Sequence, residues 1–341
     1  MKFETAGSPH IPAPTSVNRV MKQVLIALIP GVIAYVAFFG PGILIQITIA
    51  VATALGFEAL MLNMRKQPMH LHMTDLTAPV TAVLFALCLP PLLPWWATVV
   101  GMFFAIVVAK HLYGGMGFNL FNPAMVGYVV ILIAFPLEAS RWLAPNSLGG
   151  ESLNLGDAFI AIFTGTLPPS VTWDAITQAT PLDMIRTGRT QDIMLSEIRH
   201  DPVFGQFGGI GWEWVALFYA LGGIYLMFRR IINWRVPAGL IAVIFAVSFP
   251  LYIVDPFVYP FPTEQLFLGG FMLGAFFIVT DPVTCSTTPR GRLIFGGGVA
   301  LIALAIRRWG GYPDGIAFAV LVMNMAVPLI DRYTKPRVFG Q

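Results

Sequence analysis

Two blocks of apolar sequence, each far longer than one crossing of a bilayer, flank a polar stretch of roughly residues 138–211. A spanning helix needs roughly 20 mostly apolar residues. Ten such runs can be marked, at about 21–40, 42–62, 74–92, 95–112, 123–139, 212–230, 236–254, 264–283, 293–309 and 314–331. Several are short or interrupted by Pro and Gly. Only 11% of the 341 residues are charged, against about 25% in soluble domains. The expected fold is an all-α integral membrane protein.

The basic residues set the orientation. With Arg19 and Lys22 in the cytoplasm, Arg65-Lys66, Lys110-His111, Arg229-Arg230 with Arg235, Arg290 with Arg292, and Arg332-Lys335-Arg337 fall on the same side. Arg307-Arg308 is the exception, and the pair could snorkel or meet an acid inside the protein. This divides the chain into a cytoplasmic N-terminal segment (1–20), a first membrane half (21–139), an extracytoplasmic segment (140–211), a second membrane half (212–331) and a cytoplasmic tail (332–341). Residues 1–19 are polar and Pro-rich, with no small-residue cleavage site before the first span, so no cleavable signal is expected.

The halves resemble each other. Lys110-His111-Leu112-Tyr113-Gly114-Gly115 precedes the fifth run and Arg307-Arg308-Trp309-Gly310-Gly311-Tyr312 the tenth. Five crossings per half make the repeats inverted, an arrangement that builds midplane sites from discontinuous helices. Pro79, Pro90-Pro91 and Pro282 suit such breaks. Chance recurrence of Gly-Gly is the alternative.

The dispersed Lys and Arg offer no nucleic-acid footprint. Cys88 and Cys285 lie in or beside apolar runs without metal-ligand spacing, so no iron–sulfur or other metal site is expected from this chain alone; they read as buried hydrophobes, or as ligands shared with another polypeptide. His70-x-His72 has no third ligand nearby and reads as a solvated loop. No nucleotide fingerprint is present.

Three places could carry chemistry. In the polar segment, Thr180 has no His or Cys beside it and cannot be a self-activated nucleophile; it is a turn residue, a helix cap or the acceptor for an external transferase, with Thr177 the rival acceptor. Asn119, Asn122 and Pro123 follow Gly114, Gly115 and Gly117 at the start of the fifth run; they cap a helix or offer amide donors and acceptors to a flat ligand. Asp281, before Pro282, and Asp75 are acids at the ends of apolar runs; they order helix ends or face a passing cation. Asp281 could pair with Arg292 or Arg308. Residues 184–201 suggest a short surface helix that docks on a partner.

Asp174-Ala175-Ile176-Thr177-Gln178-Ala179-Thr180 resembles the flavinylation motif, Asp-x-x-Ser/Thr-Gly-Ala-Ser/Thr, with Gln178 in place of Gly. Together with 114–124, Thr280-Asp281-Pro282-Val283-Thr284, Gly291-Arg292 and 312–324, it makes the whole chain similar to the NqrB/RnfD family. That family comprises membrane components of the Rnf electron transport complex and of the sodium-translocating NADH:quinone reductase. Asp314 stands where the family usually has Glu. Length and the short N-terminal segment point to the Rnf branch. The resemblance implies FMN held covalently as a phosphoester on Thr180, and a non-covalent riboflavin near Asn119, Asn122 and Pro123. It implies a place beside other membrane and peripheral subunits in the bacterial inner membrane. There the complex couples electron transfer between ferredoxin and NAD to movement of sodium ions or protons, as a translocase, with the NAD and ferredoxin chemistry on other chains. The rivals are a redox-inactive channel or secondary transporter, and a passive assembly scaffold.

Overall fold

The computed structural model describes residues 17–148 and 153–335, except the side chains of His70 and Leu71. Residues 1–16 and 336–341, the bulk of the two terminal segments marked above, lie outside it. Among the described residues the chain is helical, with isolated bridges at Leu143–Thr177 and Phe204–Gly209 but no strand. It is a multi-pass membrane protein. Among the described residues five helices have the length and hydropathy to cross a bilayer: α1 (Val17–Phe39), α2 (Gly42–Met64), α13 (Arg235–Val254), α16 (Pro289–Trp309) and α17 (Ile316–Thr334).

The other apolar runs are shorter. α3 (Met69–Met73) is a short helix where His70-x-His72 suggested a loop. The run at 74–92 is not one span: α4 (Thr77–Ala86) stops midway and residues 87–94 are irregular. α5 (Trp95–His111) turns into a π-helix from Phe103. α6 (Pro123–Ala134) leads into α7 (Pro136–Ala139). The polar segment carries four short α-helices, α8 (Leu155–Thr164), α9 (Trp173–Ile176), α10 (Pro181–Thr190) and α11 (Leu195–Ile198). After α12 (Trp212–Phe228), the run at 264–283 is also broken, into α14 (Pro262–Phe267) and α15, which spans Phe271–Leu273 and continues as a π-helix over Gly274–Ile278.

Local chemistry sets these boundaries. α6, α10 and α16 each begin with a capping side chain and Pro at the first helical position: Asn122-Pro123, Thr180-Pro181 and Thr288-Pro289. Each cap oxygen accepts an otherwise unpaired N–H of the first turn, and Pro has no N–H to leave unpaired. At α4, Asp75 accepts from the Thr77 N–H (2.8 Å) and hydroxyl (2.6 Å).

The two halves run in the same order: two leading helices, a broken helix, then two more. α2 packs on α5 as α13 packs on α16, and α5 packs on α6 as α16 packs on α17. The halves meet first helix to first helix, α1 on α12, and last to last, α6 on α17. Small residues bring the backbones close, as is usual between membrane helices. The Tyr219 ring occupies the space a side chain at Gly31 would need, and Gly222 lies against the Ala27 carbonyl.

Two basic groups inside the apolar body meet acids. The Lys110 ammonium contacts both Glu58 oxygens at 2.9 and 2.8 Å and the Thr77 hydroxyl at 3.0 Å, and His111 Nε2 lies 3.0 Å from the same carboxylate. Arg307, half of the positive-inside exception, meets Asp314 at 3.3 Å; Arg308 lies over the Tyr259 ring at 4.7 Å. The expected pairing of Asp281 with Arg292 or Arg308 does not form. Asp281 instead accepts from the Thr284 hydroxyl (2.7 Å) and Val283 N–H (3.3 Å), while Arg292 donates to the Ser286 carbonyl.

Removing one member of a buried pair strands the other charge, at about 3–5 kcal/mol. Lys110→Met should therefore lower the thermal unfolding midpoint in detergent sharply, and Lys110→Met with Glu58→Gln should regain most of the loss. Equal midpoints for the single and double variants would contradict the pairing.

Candidate functional site

A cavity of about 290 Å³ opens between the two halves, on the face that bears the polar segment. α1, α6 and α12, the tip of α4, the Gly269-Gly270 break and the start of α17 form its walls, and α10 closes one side. Thr180, Pro181, Asp183 and Arg186 line it from α10. Deeper lie Cys88, Tyr128, Tyr35 and Tyr219, with Trp142 and Trp212 as further aromatic wall. Trp212 meets Tyr35 edge-on at 5.7 Å and Trp142 edge-on at 5.3 Å.

The broken helix between α14 and α15 is held open by Arg307. Its guanidinium donates to the carbonyls of Gln265 (2.7 Å) and Leu268 (2.8 Å), stacks over Phe271 at 4.0 Å and pairs with Asp314. Asp314 in turn accepts from the Gly270 N–H at 2.6 Å. Gly269 has φ +70°, which a side chain would strain, and a Cβ there would crowd the Asp314 and Arg307 termini. Arg307 and Asp314 thus fix a backbone break that forms part of the cavity wall.

Thr180 caps α10. Its hydroxyl accepts from the Asp183 N–H (3.2 Å) and donates to Asp183 Oδ2 (2.8 Å). Burial pushes the Asp183 carboxyl above the usual carboxylate range, against the pull of the Thr180 hydroxyl and the Arg186 guanidinium. Sequence reasoning missed Asp183; the signal was a carboxylate three residues after a Thr-Pro helix start. Thr177 is placed differently. Its hydroxyl donates back to the Trp173 carbonyl at 2.8 Å, and it does not line the cavity. Gln178 keeps a negative φ, so the motif's Gly is not required here for backbone freedom.

The remaining sequence candidates lie away from Thr180. Asn122 caps α6 through Met125 N–H (3.2 Å), donates to the Ile278 carbonyl (3.4 Å), and its own N–H reaches Asn324 Oδ1 (3.0 Å). Asn119 donates to the Phe121 carbonyl at 3.2 Å. Neither these residues nor Pro123, Asp75 or Asp281 line the cavity.

Likeness to known proteins decides the family. The NQR2, RnfD, RnfE family matches residues 4–340. The chain belongs to this family. It is 47% identical to the D subunit of the ion-translocating oxidoreductase complex of Aeromonas hydrophila, with 99% of each chain covered. It is 46% identical to the protein of the same name from Vibrio cholerae, over the full length of both. It is 47% identical to that of Yersinia pseudotuberculosis, covering 99% of this chain and 98% of the relative.

A carboxyl whose folded pKa is raised holds its proton to higher pH than in the unfolded chain. The folded segment is therefore favoured at pH below the ordinary carboxylate range and loses that advantage as pH rises through the raised value. Acidification from neutral pH should slow proteolysis within residues 140–211 more in the wild type than in Asp183→Asn. Both proteins share the protease's own pH profile, so parallel curves would remove Asp183 from the account.

Proposed function

We propose that this chain is the flavin-carrying membrane subunit of an ion-translocating oxidoreductase complex. FMN is joined through a phosphoester to Thr180, with its ring directed to the cavity between the halves. One observation carries the reading: the motif's last hydroxyl stands at the mouth of a cavity of about 290 Å³ walled by aromatic side chains. That is near the lower end of ligand-pocket sizes, roughly 300–1,000 Å³. When bound, FMN supplies the electron transfer, while the protein sets its position and electrostatics.

The residues suit that load. Thr180 opens a ten-residue helix, and a helix N-terminus with a nearby Arg favours a phosphate. Arg186, on the next turn, lines the same mouth. Asp183, whose carboxyl burial pushes above its usual range, stands directly beside the Thr180 hydroxyl.

In this reading the segment 140–211 faces away from the cytoplasm, both termini are cytoplasmic, and the membrane is the bacterial inner membrane. The complex couples electron transfer between ferredoxin and NAD to movement of sodium ions or protons, as a translocase whose other membrane and peripheral subunits hold the NAD and ferredoxin chemistry. A non-covalent riboflavin sits near Asn119, Asn122 and Pro123, where Tyr113, Met116 and Phe118 are exposed. Asp75 and Asp281, at the cytoplasmic end, are the candidates for an ion path.

The test is denaturing electrophoresis of the protein after co-expression with a flavin transferase, viewed under ultraviolet light. A fluorescent band in wild type and Thr177→Ala, absent in Thr180→Ala, is expected. No band in the wild type would favour a redox-inactive channel or secondary transporter, a reading that the two broken helices also suit. Normal electron transfer in complexes carrying Thr180→Ala would favour a scaffold.

A further inference from the structure

Two phenols stand in the cavity without partners. Tyr35 is 1% exposed and Tyr219 5%, both line the cavity, and neither hydroxyl has a hydrogen-bond partner among the described residues. Buried hydroxyls are paired in the great majority of structures, and leaving one unpaired in an apolar setting is costly. The two come from different halves, one from α1 and one from α12. The Tyr219 ring fills the notch at Gly31, one turn from Tyr35 on the same helix, so the rings are neighbours across the seam.

We propose that Tyr35 and Tyr219 are the hydrogen-bond donors for a planar, acceptor-rich heteroaromatic ring held in this cavity, one phenol supplied by each half. The inference rests on the reading of the cavity as the flavin site and assigns the groups that position the ring there. Phenol O–H groups donate to ring carbonyl and nitrogen acceptors. Reduction places negative charge on those acceptors, and hydrogen bonds to charged groups are about twice as strong as neutral ones. The phenols therefore bind the reduced ring more tightly than the oxidised one. Cys88 and Tyr128, on the tip of the first broken helix and on α6, complete the wall without being required as donors.

The experiment uses the full chain with Tyr35→Phe, Tyr219→Phe and the double change, each prepared with and without the flavin transferase. Phenylalanine keeps the ring and removes only the hydroxyl. Flavin attachment at Thr180, read by in-gel fluorescence, should be unchanged. The preference for the reduced ring should fall by about tenfold per phenol, which is about 30 mV downward in midpoint potential for a two-electron couple, with a shift of the visible flavin bands. Without flavin, each change removes an unpaired buried hydroxyl and should leave the melting midpoint equal or higher; with flavin attached it should lower it. Attached flavin with potential, spectrum and melting order all unmoved would overturn the assignment and leave the flavin reading standing, the phenols then facing only water. A wild type that takes no flavin at all would overturn both.

Discussion

Lipid cannot satisfy a free backbone amide or carbonyl, so a helix may stop inside the membrane only where protein groups replace its missing partners. The two broken helices obey this rule with different chemistry. Beyond α4, the Leu93 carbonyl is taken by the Gln46 amide of α2, whose oxygen accepts from the Thr98 hydroxyl of α5 at 2.6 Å, all fully buried. Beyond α15, Asn122 and Asn324 hold the Ile278 and Thr284 carbonyls, the latter at 3.0 Å. Before α15, Arg307 holds those of Gln265 and Leu268. The partners come from neighbouring helices in the first case and partly from the other half in the second. The breaks are therefore tied to the packing of the halves.

The cavity follows from these breaks. A helix that stops short leaves volume beyond its tip, and the tip of α4 and the Gly269-Gly270 turn both border the space between the halves. The polar segment then places α10 at the opening, anchored by a small cluster of Leu182, Ile185, Leu195 and Leu268. The irregular backbone held in this way, at Leu87-Cys88 and Leu268-Gly269-Gly270, borders that space.

Much of this was legible in the chain itself, because hydropathy and basic loops report directly on lipid. The apolar runs and the irregular backbone around Pro90-Pro91 and Pro282 could be read there, and one of the two readings of Arg307, pairing with an acid, is the one that forms. The rest depended on distance in three dimensions. Gln46 and Thr98 are 52 positions apart and look like incidental polar residues in apolar runs. Tyr35 and Tyr219 look like core aromatics until their hydroxyls are seen to lack partners. Asp183 gains meaning only once α10 is known to start at Pro181. Within the runs at 74–92 and 264–283 breaks could be expected, but not the residues at which the helices stop, because average hydropathy does not sense where a helix ends.

The Glu58–Lys110 and Arg307–Asp314 pairs differ in how the ribosome meets them. Arg307 and Asp314 are separated by seven positions and can neutralise each other almost as soon as they are made. Glu58 emerges 52 residues ahead of Lys110, and a lone carboxylate is poorly tolerated in lipid. During biogenesis α2 thus has reason to stay with the insertion machinery, or half in water, until α5 arrives. The first half would then enter the bilayer as a bundle rather than helix by helix, while the second could insert sequentially.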